Sequence, residues 1–532
     1  MSKIYMLDCT LRDGGYVNAW NFGSLVIENI VKNISEAKVE FIECGFLSEQ
    51  KEITEDQSIF RTIEDAEERF SGGIGQNLAL MINCGEFSPR SIKPYSGGRI
   101  NIIRIAFHKH QLTEAQELCM ELQQNGYKVF FQPMVTMRYT DEELLQLIRW
   151  TNINKPSAFY IVDSFGTMRK KDILRIFFLV DNNLCEDIRI GFHSHNNLQL
   201  SFSNAQELIT LNSAREIIID TSVFGMGRGA GNLCTELMIQ YINENIKNKY
   251  NIMPILEVMD EYIMPIFNMH SWGYSVPYYI AAVNDCHPNY ASYLSNMQTL
   301  LVKDINCIIK MIEPNKKYLF DKAYINMLYV DYQKNWIDDS STIQGLKKLC
   351  SGRHVLVLAP GKTLMTGRKE ILKYIEENNP VVISINHISD FVECDRVFVS
   401  NLKRFQRLKK MMKSKDDRIV CTSNIVGGQK MQIVNYSSYI DEDPIISDNA
   451  GVMLLNVLKN ANVTNVTLAG FDGFDANQLN NYYDDKLITT IDMEKMLQIN
   501  SSIAIFLRKL GECIKIKFIT PSLYETSIEA TL

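Results

Sequence analysis

No stretch of the chain approaches the roughly 20 consecutive apolar residues that span a bilayer, and the amino terminus lacks a charged head followed by an apolar signal core. These absences predict a cytoplasmic protein with no membrane partner. Positive charge is not in surplus either: the net charge of −7 gives no electrostatic reason to expect a nucleic-acid partner. The best local basic patch, the run KRFQRLKKMMKSK from Lys403 to Lys415, reads as one solvated helix face. The 12 cysteines include no CxxC pair, which argues against a zinc ribbon or a redox dithiol and predicts buried, reduced thiols. Internal repeats and low-complexity linkers are also missing. What remains is a chain of 532 residues, 46% apolar and 22% charged, a globular composition too long for one ordinary core.

From Ile4 to about Lys249, short β-branched runs alternate with stretches of helical period such as EAQELCMELQQNGY. The strand candidates are IYMLDCT, VEFIECGF, NLALMINC, NIIRIAF, KVFFQPMV, AFYIVDSFG, IRIGFHSHN and EIIIDTSVFG. Eight strands spaced by amphipathic helices are the count for a (β/α)8 TIM barrel, an α/β fold, over residues 1–250. Asp13, Glu43, Asn83, His108, Gln132, Asp163, His193, His195 and Asp220 stand at the carboxyl ends of these runs, on the face where such barrels keep their chemistry. Residues 251–345 are rich in aromatic and Met residues at helical spacing and predict a helical extension or lid. From residue 346 to 532, the runs HVLVLAPGKTL, VVISIN, RVFVS, RIVCTS and VTNVTLAGFDGF predict a doubly wound α/β domain.

The segment GFHSHNN sets His193 and His195 at i and i+2 of a strand, so both rings point to one side. A lone histidine is more often a hydrogen-bonded core residue. A pair at the end of a barrel strand, with Asp13 at the end of the first, offers two imidazoles and a carboxylate to one divalent ion. Mixed nitrogen and oxygen ligation suits Mn²⁺, Mg²⁺, Co²⁺ or Zn²⁺ acting as a Lewis acid. The glycine-rich stretch GMGRGAGNLCTE follows the eighth strand, and within it Asn232 is a candidate fourth, neutral oxygen ligand or a supporting group.

LDCTLRDGGY, VDSFG, GFHSHNN and GMGRGAGNLCTE, in that order, resemble the metal-dependent pyruvate aldolase and acyl-transfer superfamily that includes 4-hydroxy-2-oxovalerate aldolase, hydroxymethylglutaryl-CoA lyase and isopropylmalate synthase. The resemblance covers about residues 3–240, and the helical segment to about 335 can be counted with it. It implies that Asp13, His193 and His195 hold the metal, with Mn²⁺ foremost, and that Arg12 stabilises the enolate oxygen formed when a C–C bond breaks. The alternative for Arg12 is a salt bridge closing the barrel mouth. The implied substrates are a 2-oxo acid, pyruvate first, and an aldehyde; a homo-oligomer is compatible with the family.

This sequence departs from the hydroxy-oxovalerate aldolases where they keep an acid/base histidine two residues beyond the RDG segment, a place held here by Tyr16. A phenol of ordinary pKa near 10 is a poor base at neutral pH. His108 and His110 are alternatives by position, and so is Tyr290, because such aldolases bring a tyrosine from the helical extension over the barrel. Cys234 reads as a bystander. Two further readings stay open: an acyl-CoA-dependent Claisen enzyme, and a binding protein whose barrel has lost its chemistry.

In the last third, VLVLAPGKTL is a strand, a Pro-Gly turn and a helix, without a GxGxxG or Walker pattern. Together with SDNAGVMLLNVL and VTLAGFDGF it resembles a Rossmann-like domain of a pterin pyrophosphokinase-like family and of bacterial surface-glycan proteins. That likeness implies that Gly361, Asn449, Gly451 and Asp472 lie near a nucleotide or another phosphate-bearing ligand. The fusion then implies a bifunctional protein in surface-glycan or small polyhydroxy-acid biosynthesis. A sensor or docking module is the alternative.

Overall fold

The computed structural model describes residues 3–49, 52–71, 77–88, 92–211, 213–297, 299–411, 417–425, 431–475, 478, 480–484 and 493–525. The chain divides into two compact units, Met1–Pro288 and Asn289–Leu532.

The first unit is an eight-stranded parallel barrel. Its strands are β1 (Ile4–Asp8), β2 (Phe41–Leu47), β3 (Leu78–Asn83), β4 (Ile100–Phe107), β5 (Lys128–Pro133), β6 (Ala158–Asp163), β7 (Arg189–Ser194) and β8 (Ile217–Thr221). Each pairs with its sequence neighbours, and the ring closes through β1, which meets β8 on one side and β2 on the other with Leu7 opposite Phe41. The two-residue strand Ile59–Phe60 is an addition to the edge of β2. The sequence runs overshoot several of these strands at their carboxyl ends, because there the backbone turns out of the sheet: the Asp13 amide already donates to Cys9 O at 2.8 Å.

Strand alternation explains how an apolar barrel carries a polar mouth. Leu7, Phe41, Ala79, Ile102, Phe130, Ala158, Tyr160 and Ile218 form one inward-facing cluster. Two residues further along their strands, Arg104, Gln132 and Asp220 are also buried. The outer faces of the strands pack on the surrounding helices; the helix Ser24–Glu36, for example, buries Ile27, Ile30, Val31 and Ile34, one stripe at helical spacing. Each such fully buried side chain contributes about 1.5–3 kcal/mol.

Helices continue past the barrel from Met253 to Val283, and the second unit opens with further helices between Pro288 and Cys350. Its sheet is wholly parallel: β9 (Val355–Leu358), β10 (Val381–Ile385), β11 (Arg396–Val399), β12 (Ile419–Thr422), β13 (Gln432–Val434), β14 (Asn465–Ala469) and β15 (Lys515–Phe518), in the order β13-β12-β11-β10-β9-β14-β15. Val355 and Val357 face one hydrophobic core while Leu356 and Leu358 face another, so the sheet is covered on both sides in the Rossmann-like manner. The sequence runs identify five of these strands. They miss β13 and β15, which are three and four residues long and sit at the two edges; in β15 the exposed Lys515 and Lys517 also interrupt the apolar pattern. The basic run is a helix, Leu402–Met411, as far as it is described; residues 412–415 lie outside the described residues.

Among the described residues, no helix is long and apolar enough to cross a membrane. All 12 cysteines are free, most of them buried.

Candidate metal centre

At the carboxyl ends of β1 and β7, Asp13, His193 and His195 each offer a ligand atom, all within 4.8 Å of one another, and all three are buried. The two imidazole rings stand 5.3 Å apart and nearly perpendicular. His193 belongs to β7, while His195 lies one residue past its end, in an isolated bridge with Asn232. That bridge ties the glycine-rich loop to the cluster. Asn232 Nδ2 donates to Asp13 Oδ2 at 2.6 Å and to Met226 O at 3.0 Å.

Gly227 is required beside this contact. A Cβ on Gly227 would stand 2.4 Å from Asn232 Nδ2 and 3.2 Å from Asp13 Oδ2.

Two arginines and two further carboxylates support the cluster from within the barrel. Arg12 donates from Nη1 to Asp13 Oδ1 at 2.6 Å and from Nε to Glu43 Oε2 at 2.7 Å. Arg104, fully buried, pairs with Glu43 at 2.8 Å and, more closely, with Asp220, and its guanidinium lies 4.8 Å from the centre of the Tyr160 ring. Asp220 in turn meets His193 Nδ1 at 3.0 Å and accepts from the Tyr160 hydroxyl at 3.0 Å. Three carboxylates (Asp13, Glu43, Asp220) against two guanidiniums (Arg12, Arg104) leave one formal negative charge with neutral imidazoles.

The electrostatics favour the deprotonated forms of Asp13 and His195. Burial alone would raise the Asp13 carboxyl, but the Arg12 guanidinium and then His195 outweigh it and hold the group well below the usual carboxylate range. Burial lowers the His195 imidazole to about 3, with Asp13 opposing. Asp163 differs: burial pushes its carboxyl up to about 7 although the amides of Thr167 and Met168 donate to it.

These residues fit a divalent cation. His195 Nδ1 and Asn232 Oδ1 are buried without a hydrogen-bond partner, two acceptors that only a cation or a donor brought from outside would satisfy. The pairing of His193 Nδ1 with Asp220 leaves Nε2 for the metal, the usual arrangement in which a carboxylate orients a metal-binding imidazole. A set of two nitrogens and one carboxylate oxygen matches first-row divalent metals.

The remaining candidates fall in different places. The Tyr16 ring lies beneath Arg228, whose guanidinium is 4.1 Å from the ring centre, and meets Trp20 edge-on. His108 follows β4 and stacks on His110 at 5.7 Å. Burial, then His110 and Arg228, lower the His108 imidazole. Tyr290 belongs to the second unit, where its buried hydroxyl lies 2.9 and 2.7 Å from the carbonyl oxygens of Lys316 and Leu319 and accepts from the Asp321 amide. The Cys234 thiol is pushed up to about 12 by burial and then by Glu236. Sequence reasoning did not identify Arg104 as a functional residue; a lone arginine in the otherwise apolar run NIIRIAF is the signal that marks it.

In the second unit, Gly361, Asn449, Gly451 and Asp472 all line one cavity of about 860 Å³. It opens at the carboxyl ends of β9, β10, β11 and β14, where the strand order reverses between β9 and β14 and where ligands of open parallel sheets bind. Asp472 accepts from the Thr363 amide at 2.9 Å and from its hydroxyl. A Cβ on Gly361 would lie 2.4 Å from Asp472 Cγ, so only glycine permits that approach. Asn449 Oδ1 caps the helix Ala450–Asn460 through the amides of Gly451 and Val452. Lys403, Arg404 and Arg407 supply positive charge to the wall.

Residues 3–261 match the family model described as HMGL-like. A 4-hydroxy-2-oxovalerate aldolase from Geobacillus genomosp. 3 is 25% identical over 268 residues, 50% of this chain and 78% of its own. Another from Thermomicrobium roseum is 28% identical over 266 residues, 49% of this chain and 72% of its own. Among solved structures, hydroxymethylglutaryl-CoA lyase from Pseudomonas aeruginosa aligns at 14% identity and a TM-score of 0.40 over 51% of this chain and 94% of that one.

Proposed function

We propose that the barrel, which matches the HMGL-like family model over residues 3–261 and is similar to 4-hydroxy-2-oxovalerate aldolases, is a metal-dependent aldolase or lyase that makes or breaks a carbon–carbon bond through the enolate of pyruvate or a related 2-oxo acid, with an aldehyde as the second substrate. The observation that carries the reading is the convergence of Asp13, His193 and His195 within 4.8 Å, with Arg12 beside them at 2.6 Å. Asp13, His193 and His195 would hold a divalent ion, Mn²⁺ in the first instance, which would supply Lewis-acid charge to a bound 2-oxo acid.

In the cleavage direction, a base removes the proton of the C4 hydroxyl, the C3–C4 electron pair passes to the 2-oxo oxygen, and the aldehyde leaves. The new negative charge needs a donor already in place. Arg12 meets that need, since its buried Nη2 has no hydrogen-bond partner while its other nitrogens are fixed by Asp13 and Glu43. Tyr16 and His108 are the groups assigned to the proton, and Asn232 holds Asp13 in position.

The test is release of pyruvate from 4-hydroxy-2-oxovalerate by Mn²⁺-loaded and metal-stripped protein, followed with lactate dehydrogenase. The proposal expects metal-dependent release. Release that survives complete stripping contradicts it, and activity confined to acetyl-CoA condensation moves the barrel to the acyl-transfer reading.

The same proposal assigns the cavity of the second unit to a nucleotide or another phosphate-bearing ligand. Its support is the placement of Gly361, Asn449, Gly451 and Asp472 on one cavity at the switch point of the sheet, with the cations Lys403, Arg404 and Arg407 on its wall. A bifunctional protein that makes a small polyhydroxy acid and binds an activated form of it fits both sites, as in surface-glycan assembly. Calorimetry with a nucleotide panel should show binding that Asn449→Ala and Asp472→Ala weaken. Binding unchanged in both variants would remove that assignment.

A further inference from the structure

Beyond Arg12 and Arg104, the barrel holds a third arginine near the cluster, Arg228, that the proposed chemistry leaves unused. Arg12 is committed to Asp13 and Glu43. Arg228, in the glycine-rich loop after β8, has no ion-pair partner among the described residues and keeps a solvent-exposed side chain.

Its position is nevertheless fixed. The loop is pinned at both ends: Asn232 N donates to Gly225 O at 2.9 Å, Asn196 N to Gly231 O at 2.8 Å, and Ala230 N to Asn197 Oδ1 at 2.9 Å. The guanidinium is laid over the Tyr16 ring at 4.1 Å, and that ring is itself braced edge-on by Trp20 and Phe46. A planar cation on an aromatic face keeps its edge donors free for an anion.

The nearby ionisable groups offer little to neutralise it. Burial foremost holds His108 and His287 toward the neutral form and the Arg228 charge adds to it, with Glu86 opposing at His108; the same charge acts on Asp13 and His195. Asp13 already accepts from Arg12 and Asn232, and Asp285 is paired with Arg138. An unpaired guanidinium at the rim of a metal cluster is a preformed half-site for negative charge.

We propose that Arg228, propped on Tyr16, binds an anionic group, a carboxylate or a phosphate, on the aldehyde substrate, so that the barrel selects charged over neutral aldehydes. This rests on the aldolase reading for the word aldehyde; the anion site itself does not.

The experiment separates the two. Unreactive analogues of three aldehydes, 1-propanol (neutral), 4-hydroxybutyrate (carboxylate) and glycerol 3-phosphate (phosphate), are titrated into metal-free full-length protein by saturation-transfer NMR. One or both anions should bind saturably and more tightly than propanol, and Arg228→Ala should weaken that binding at least about tenfold, the size of one charge-assisted hydrogen bond, with Arg228→Lys in between. Which anion binds better identifies carboxylate or phosphate. Equal binding of propanol, or anion binding that Arg228→Ala leaves intact, overturns the inference. With Mn²⁺ and pyruvate present, consumption of succinic semialdehyde or glyceraldehyde 3-phosphate should exceed that of propanal. Turnover that shows no such preference overturns the selectivity while sparing the aldolase reading, whereas saturable, Arg228-dependent anion binding without any turnover upholds the site and counts against the aldolase.

Discussion

His193 Nδ1 lies 3.0 Å from Asp220 Oδ2, and the same carboxylate is shared with Arg104 and the Tyr160 hydroxyl. One carboxylate therefore fixes the ring of a proposed metal ligand and helps neutralise a fully buried guanidinium. Replacing it with an amide, Asp220→Asn, should lower Mn²⁺ affinity about 10- to 100-fold, the usual effect of losing a group that orients a ligand. Titration of Mn²⁺ followed by its EPR signal checks this; unchanged affinity would mean the ring is held by its packing alone.

The three proposed ligands, Asp13, His193 and His195, are expected to act as a unit. With His193→Ala or His195→Ala, two protein ligands remain and a labile divalent ion is held poorly. Wild-type protein should gain about 2.7 kcal/mol of stability at a Mn²⁺ concentration 100 times its Kd. The same addition should leave either variant's Tm unmoved, and a differential scanning calorimeter reads both.

Arg104 is 0% exposed and depends on Glu43 and Asp220 for its charge balance. Glu43→Gln removes one of those charges and leaves Arg12 Nε facing a neutral amide in place of a carboxylate. A loss of about 3–5 kcal/mol is expected, as for other buried ion pairs broken on one side. Urea denaturation of the metal-free protein measures it without interference from the cation. A change under about 1 kcal/mol would show that Asp220 alone suffices.

A methyl group at Gly227 would meet Asn232 Nδ2 at 2.4 Å. Gly227→Ala should therefore push Asn232 off Asp13 and weaken metal binding, at a cost to folding of about 1–3 kcal/mol from overpacking. Metal affinity and Tm measured together distinguish displacement of the loop from general unfolding: in the first case affinity falls much further than stability.

Much of this was readable in the sequence because it is local. The eight barrel runs, the HSH spacing, the RDGG turn and the glycine loop each announce themselves within twelve residues, and alternation or spacing decides their meaning. The charge network is not local. Arg104 meets Glu43 and Asp220 from strands 61 and 116 residues away, differences read directly from their numbers, and only closure of the barrel brings them together. The edge strands Gln432–Val434 and Lys515–Phe518 were lost for a related reason: so short a segment is made a strand by its neighbour's hydrogen bonds more than by its own pattern. Similarly, Arg228 is one letter in a flexible-looking loop until Tyr16 is found beneath it.

Exchange of the pyruvate methyl protons in D₂O, followed by proton NMR, tests the central claim most directly, because it reads enolate formation without needing the aldehyde. The account predicts exchange with Mn²⁺-loaded protein, loss of exchange on stripping the metal, and no recovery in His195→Ala when Mn²⁺ is restored. Exchange that persists in the stripped protein, or that His195→Ala retains in full, would contradict it.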